Sequence, residues 1–204
     1  MSPRSGKTTK QKLIDTATTL FLEKGVDRVG VREIAATAGI NLSLMNYYFR
    51  SKEILFETIF EIQIKERAHL LRVILDSEQT LENKIREYVS TYVDVLLDNP
   101  LLVSFVMSIV HRSPDKIAKM KVVENLYHTE SFIEQLRKEQ EAGNIKPIDP
   151  EQLFLSMISL VLFPFAIQPL IQDRNRINSE QFRVMMMHHR KEHIFQLLWS
   201  SIKA

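Results

Sequence analysis

The segment INLSLMNYYFRSKE, residues 40–53, sets three aromatics in a row, Tyr47, Tyr48 and Phe49, beside Arg50 and Lys52. These residue types suit a polyanion. Tyrosine hydroxyls and a lysine ammonium reach phosphate oxygens, which fixes register on a duplex without reading sequence. Asn46 carries a donor and an acceptor side by side, the pattern that matches the adenine edge in a major groove. Ser43 adds a hydroxyl, and Leu42 offers an apolar tip to a thymine methyl. Lys52 opens a helix, where free backbone N–H groups already favour an anion. Phe49 reads as a core anchor, and Tyr48 divides between packing and phosphate contact.

The spacing around this segment supplies the elements that must hold it. In VREIAATAGINLSLMNYYF, a short helix Val31–Ala38 stops at Gly39, and Asn41 caps a second helix that runs to about Phe49. Ala35 is small where two helices approach closely. Gly39 suits a turn that needs a left-handed residue. Ile34, Ile40 and Met45 are apolar where the pair must pack. This is helix-turn-helix spacing, whose second helix enters the major groove. Its exposed face is read as Asn41, Leu42, Ser43, Asn46 and Tyr47, with Arg32 on the preceding helix able to pair with a phosphate.

Charge agrees with that placement. Residues 1–52 hold nine Lys/Arg against four Asp/Glu, a balance of +5, while residues 53–204 hold eighteen against twenty-one, a balance of −3. A basic head on a slightly acidic body fits a nucleic-acid partner. The chain has 204 residues, enough for a sizeable core, and no cysteine, so disulfides and thiolate metal sites are excluded. No H-E-x-x-H, G-x-S-x-G or P-loop motif occurs, and no cofactor is expected. The polar, basic start lacks an apolar signal region, and the longest apolar run, around Leu160–Phe165, is too short for a bilayer. A cytoplasmic protein with no membrane partner is expected.

Helical periodicity runs through the whole chain, giving an all-α fold of about nine helices. Leu13, Ala17, Leu20 and Phe21 share a face before Gly25. Ser51 caps a long helix, residues 52–75, that joins the N-terminal head, residues 1–52, to a body, residues 53–204. Further helices are read at 81–98, 101–111, 115–143, 150–171 and 179–201. DPEQ at 149–152 carries the pattern of a capping box. Pro164 and Pro169 predict a kink inside the apolar run.

Residues 8–60 resemble the DNA-binding head of the tetracycline-repressor (TetR) family of bacterial transcription regulators. The resemblance rests on "A…LF…KG" in the first helix, "V-R-E-I-A-x-x-A-G" in the second, and "Y-Y-F" before "S-K-E-x-L". FPFAIQPLI and RKEHIFQLL resemble the family's last two helices more weakly. The chain departs from the family pattern at Gly30, often Ser or Thr, at Leu42 and Ser43, often Lys and Gly, and at Asn46, often Tyr. Tyr47, Tyr48 and Lys52 match backbone-contact positions.

The resemblance implies a homodimer on a palindromic double-stranded operator, an effector site in the body, and release of DNA when a small, largely apolar ligand binds. Tyr88, Tyr92, Phe105, Met107, Tyr127, Phe163 and Phe165 are candidate lining residues, although such a stripe equally describes ordinary core. Leu153, Met157 and Leu160 on one helix, with Ile194, Leu197 and Leu198 on another, are candidates for a four-helix dimer interface. The alternative keeps DNA binding without a ligand, under partner control. His188, His189 and His193 have spacing that suits zinc or nickel, which leaves a metal-dependent enzyme as a remote reading. With only Glu192 as a nearby acid, structural histidines are expected and no metal.

Overall fold

The computed structural model describes residues 8–99, 102, 103, 107 and 129–204. The expected helix 101–111 falls largely outside that set, although Leu102, Val103 and Met107 are helical; of the expected helix 115–143, residues 129–143 are described, and there Thr129 is extended and a helix begins only at Glu130. The described residues form an all-α fold.

The head is three short helices clasped around one apolar cluster. α1, Thr9–Lys24, starts where the Thr8 hydroxyl accepts from the Gln11 amide, and ends at Gly25. A 3-10 turn, Val26–Arg28, leads to α2, Val31–Ala38. Gly39 then takes φ +65°, ψ +33°, a left-handed conformation that lets the Ile40 amide turn back to the Ala35 carbonyl at 2.9 Å. α3, Leu42–Tyr48, follows at once. Leu13, Ala17, Phe21, Ile34, Met45 and Phe49 are buried between them.

α4, Lys52–Leu75, is capped by the Ser51 hydroxyl, which accepts from the Ile54 amide at 3.3 Å. Its 24 residues span about 36 Å at 1.5 Å per residue. The first turns belong to the head's core: Leu55 and Ile59 are buried, and Phe56 meets Phe21 edge-on at 5.8 Å. The last turns, with Leu71, Ile74 and Leu75 buried, belong to the body. One rod therefore touches both cores.

The body is built around α5, Leu81–Asp98, which packs on α4 and on two later helices. α6, Glu130–Glu141, ends before Gly143, at φ +73°. α7 spans Pro150–Ala166 and α8 spans Gln168–Asn175. α9, Ser179–Val184, a π-helical turn, Met185–Arg190, and α10, Lys191–Ile202, follow one another without leaving helical dihedrals.

Two local expectations are corrected. The run 150–171 is not one kinked helix. Pro169 has no amide to continue the ladder, so the chain breaks at Ile167 and α8 leaves at 63° to α7. Pro164 stays inside α7. At 149–152 Asp149 accepts from the Glu151 and Gln152 amides, whereas the reciprocal pair of capping-box bonds forms at Asn178 and Gln181. Among the described residues no single helix is long and apolar enough to cross a membrane.

Candidate nucleic-acid interface

α3 is seven residues long, so its orientation depends on which of its apolar residues go inside. Met45 is fully buried and Leu42 is half-buried against the head's core. At about 100° per residue, Tyr47 then points directly away from that pair, with Ser43 and Leu44 on either side of it. Asn46 and Tyr48 lie on the flanks. Exposure follows the same order: Tyr47 is 78% exposed, Leu44 38% and Tyr48 37%. The Tyr47 and Tyr48 rings meet edge-to-face at 5.4 Å, which limits the freedom of both.

One assignment changes, and one residue takes the capping place expected of it. Leu42 packs against the core, so it is not the outward apolar residue of α3; that residue is Leu44, which the sequence reading passed over. Asn41 is exposed, but its side-chain oxygen already accepts from the Ser43 amide at 2.9 Å and the Ser43 hydroxyl at 3.0 Å. That oxygen fixes the start of α3 and is spent there. With Met45 inward as the spacing predicts, the step of about 100° per residue turns Leu42 toward the core and Leu44 away from it.

The remaining residues belong to the same head. Phe49 is buried, and the Lys10 ammonium from α1 sits 5.9 Å from its ring centroid. Lys10, Lys12, Arg28, Arg32 and Arg50 are exposed, and Lys52 is half-buried at the first position of α4. The Lys24 ammonium donates to Glu33 at 2.6 Å, tying α1 to α2. That hydrogen bond lowers the Glu33 carboxyl below its ordinary value and raises Lys24 above its own. The result is a short helix with hydroxyl, amide and apolar groups exposed, on a head whose cations are also exposed. This combination matches a groove flanked by phosphates.

Residues 13–59 match the family described as bacterial regulatory proteins, tetR family. The head of the chain therefore carries the tetR-family pattern. The chain is 45% identical over 49 residues to the probable HTH-type transcriptional regulator YttP of Bacillus subtilis (strain 168), covering 24% of each chain. It is 38% identical over 85 residues to the HTH-type transcriptional repressor KstR2 of Rhodococcus jostii (strain RHA1), covering 40% of this chain and 41% of that one. The matches thus span a quarter to two fifths of these curated relatives. The fold extends further. The crystal structure of the transcriptional regulator FadR from Bacillus subtilis in complex with stearoyl-CoA superposes with TM-score 0.69 at 15% identity. It covers 93% of this chain and 97% of that one.

In the body the expected pocket residues take different places. Tyr88 is buried against Tyr92 and Phe154, with ring centroids 6.0 and 5.9 Å away. Phe165 is buried edge-on to Phe182 at 5.7 Å. Phe163 is 59% exposed on the outer side of α7 and lines no interior site, because its neighbours at 161, 164 and 165 take the inward positions. Met107 is also exposed, and Phe105 and Tyr127 lie outside the described residues. The clefts bordered by described residues include one of ≈ 330 Å³ between the α4–α5 turn and α6, lined by polar side chains such as Ser77, Gln79, Lys84 and Gln135. Burial lowers the Lys84 ammonium from its ordinary value, opposed by Glu78 and Asp76.

The expected interface residues need a similar correction. Leu153, Met157, Ile194 and Leu198 are buried within the chain itself, where α7 and α10 meet α5. They make its own core and are not offered to a second copy. Leu160 is half-buried and Leu197 is 49% exposed. The outward apolar residues are Leu155 and Phe163 on α7, Val184 on α9, Met187 in the π turn and Leu197 on α10. His188, His189 and His193 are exposed. Among the described residues no group of three or more His, Cys, Asp or Glu could hold a metal ion.

Proposed function

We propose that the chain is a DNA-binding transcriptional regulator of the cytoplasm. It is a repressor that binds a palindromic operator as a homodimer and leaves it when a small, largely apolar ligand enters the body. The observation that carries this reading is the outward face of α3: Ser43, Leu44, Asn46 and Tyr47 together, on a helix seated by Met45 and Phe49, in a head whose cations are also exposed.

A single seven-residue helix makes few base contacts, so two heads on one duplex are required for useful affinity. The exposed apolar residues of α7, α9 and α10 are the surface proposed for pairing. The fold relative FadR is in complex with stearoyl-CoA, whose acyl chain is the kind of apolar group proposed here. α4 enters both cores, so a shift of its body end moves the head. By linkage, a ligand that releases DNA must bind the DNA-free state more tightly.

Fluorescence anisotropy against duplex DNA from upstream of the chain's own gene tests this. Sequence-preferring binding is expected, with log K falling by about 0.9 per phosphate contact per unit of log salt. Binding that is indifferent to sequence and salt at every protein concentration overturns it.

A further inference from the structure

An exposed leucine on a helix aimed at a charged polymer calls for an explanation. Leu44 is 38% exposed, one step from Ser43 and three from Tyr47, on the side of α3 turned away from the half-buried Leu42 and the buried Met45. Tyr47 and Tyr48, at the i+3 and i+4 positions, lie on the same side of the helix as Leu44, and their rings meet at 5.4 Å. Nothing in that setting offers Leu44 a hydrogen bond or an ion. In a major groove the base edges are donors and acceptors with one exception: the 5-methyl group of thymine, which an aliphatic side chain can cover. A leucine set against a cytosine amino group or a guanine carbonyl leaves that polar atom desolvated and unpaired, so the same contact that favours thymine rejects the other bases.

We infer that Leu44 covers a thymine 5-methyl group in the major groove and thereby fixes one base of each half-site; the inference rests on the DNA-binding reading above and names what that site recognises. Asn46, on the flank of α3, and Leu44, beside its outermost residue, then face different base pairs. Tyr47 between them takes the position nearest the duplex.

The test begins with selection of preferred duplexes from a randomised pool by the full-length protein. Each thymine of the selected site is then replaced by deoxyuridine, in both half-sites together, which deletes only the methyl. At one thymine position the affinity is expected to fall roughly fourfold per half-site, the worth of one buried carbon. Leu44→Ala and Leu44→Gln are expected to bind the thymine and uracil duplexes equally well. Leu44→Gln keeps side-chain length and helix propensity, so it reports even if the alanine variant is poorly folded. If no thymine methyl matters to the wild-type chain, or if its effect persists in both variants, the assignment to Leu44 is overturned while sequence-specific DNA binding stands. If selection enriches no sequence, the DNA-binding reading itself falls, and the inference with it.

Discussion

The guanidinium of Arg190 donates to the main-chain carbonyl of Leu160 at 2.9 Å, and Leu160 is four residues before Pro164. In an uninterrupted helix that carbonyl accepts the amide of residue 164, but proline has none, and its ring presses on the same carbonyl. Arg190 supplies the missing donor from the π-helical turn of the neighbouring strand of chain. The arrangement has a cost. The Arg190 Nε is buried with no hydrogen-bond partner, and burial lowers its pKa from the ordinary arginine value.

This relationship predicts a coupling. Arg190→Met is expected to destabilise the chain by about 1.5–3 kcal/mol in denaturant unfolding, the range for a hydrogen bond that involves a charged group. Pro164→Ala restores an amide at residue 164, so the Leu160 carbonyl regains its helical partner. In that background Arg190→Met is expected to lose less than half as much. A double-mutant cycle with no coupling between 164 and 190 shows that Arg190 acts on something other than the gap.

The two glycines of the helix-turn-helix answer to different physics. Gly39 sits at φ +65° with nothing within 4 Å of the position a Cβ would take. Gly39→Ala therefore costs only the left-handed conformation, about 1–2 kcal/mol in unfolding free energy. Gly30 caps α2 with extended dihedrals, φ −93° and ψ 155°, and offers no side-chain acceptor to the α2 amides. Gly30→Ser is expected to stabilise by a few tenths of a kcal/mol, through a hydroxyl that accepts from the first turn. A loss on Gly30→Ser as large as that on Gly39→Ala contradicts the assignment of the two roles.

Much of the head was legible because its punctuation is local. Gly25, Gly39, Asn41 and Ser51 each end or start a helix through their own backbone or side chain, and the helices at 31–38 and 52–75 follow from them. What the spacing left open beside Met45 was which of Leu42 and Leu44 faces outward: they differ little in hydrophobicity, and tertiary packing chose between them. The body hid more. Apolar residues at 153, 157, 194 and 198 satisfy a core and an interface equally well, and only the position of α5 shows which faces are already covered. The break at Ile167 came from Pro169 acting as a helix start, while Pro164 was tolerated because a distant arginine mends it.

At the head, phosphate contacts and base contacts should separate in their salt and sequence dependence. Lys52→Gln removes a cation from the first position of α4, so it is expected to weaken binding to selected and random duplexes by the same factor. It should also reduce the salt slope by about 0.9. Asn46→Ala is expected to weaken the selected duplex alone, by the roughly 1–3 kcal/mol of a bidentate base contact, and to leave the slope unchanged. Anisotropy titrations at several salt concentrations distinguish them. Matching behaviour in the two variants removes the division of labour along residues 46–52.

In the body, substitutions on the two sides of α7 and α10 should fail in opposite ways. Met157 and Leu198 face inward, and replacing either with alanine opens a cavity in the chain's own core, at a cost of about 2–5 kcal/mol. Phe163 and Leu197 face outward, so Phe163→Asp and Leu197→Glu leave the core untouched. If their surface joins two copies, a charge there is uncompensated only in the dimer. Light scattering is then expected to show a monomer with near-native helicity. Affinity for a two-half-site duplex should drop at least tenfold, the loss expected when one head must bind alone. A dimer that survives both charges places the pairing surface elsewhere, because each acid would have to be buried without a partner against the second copy.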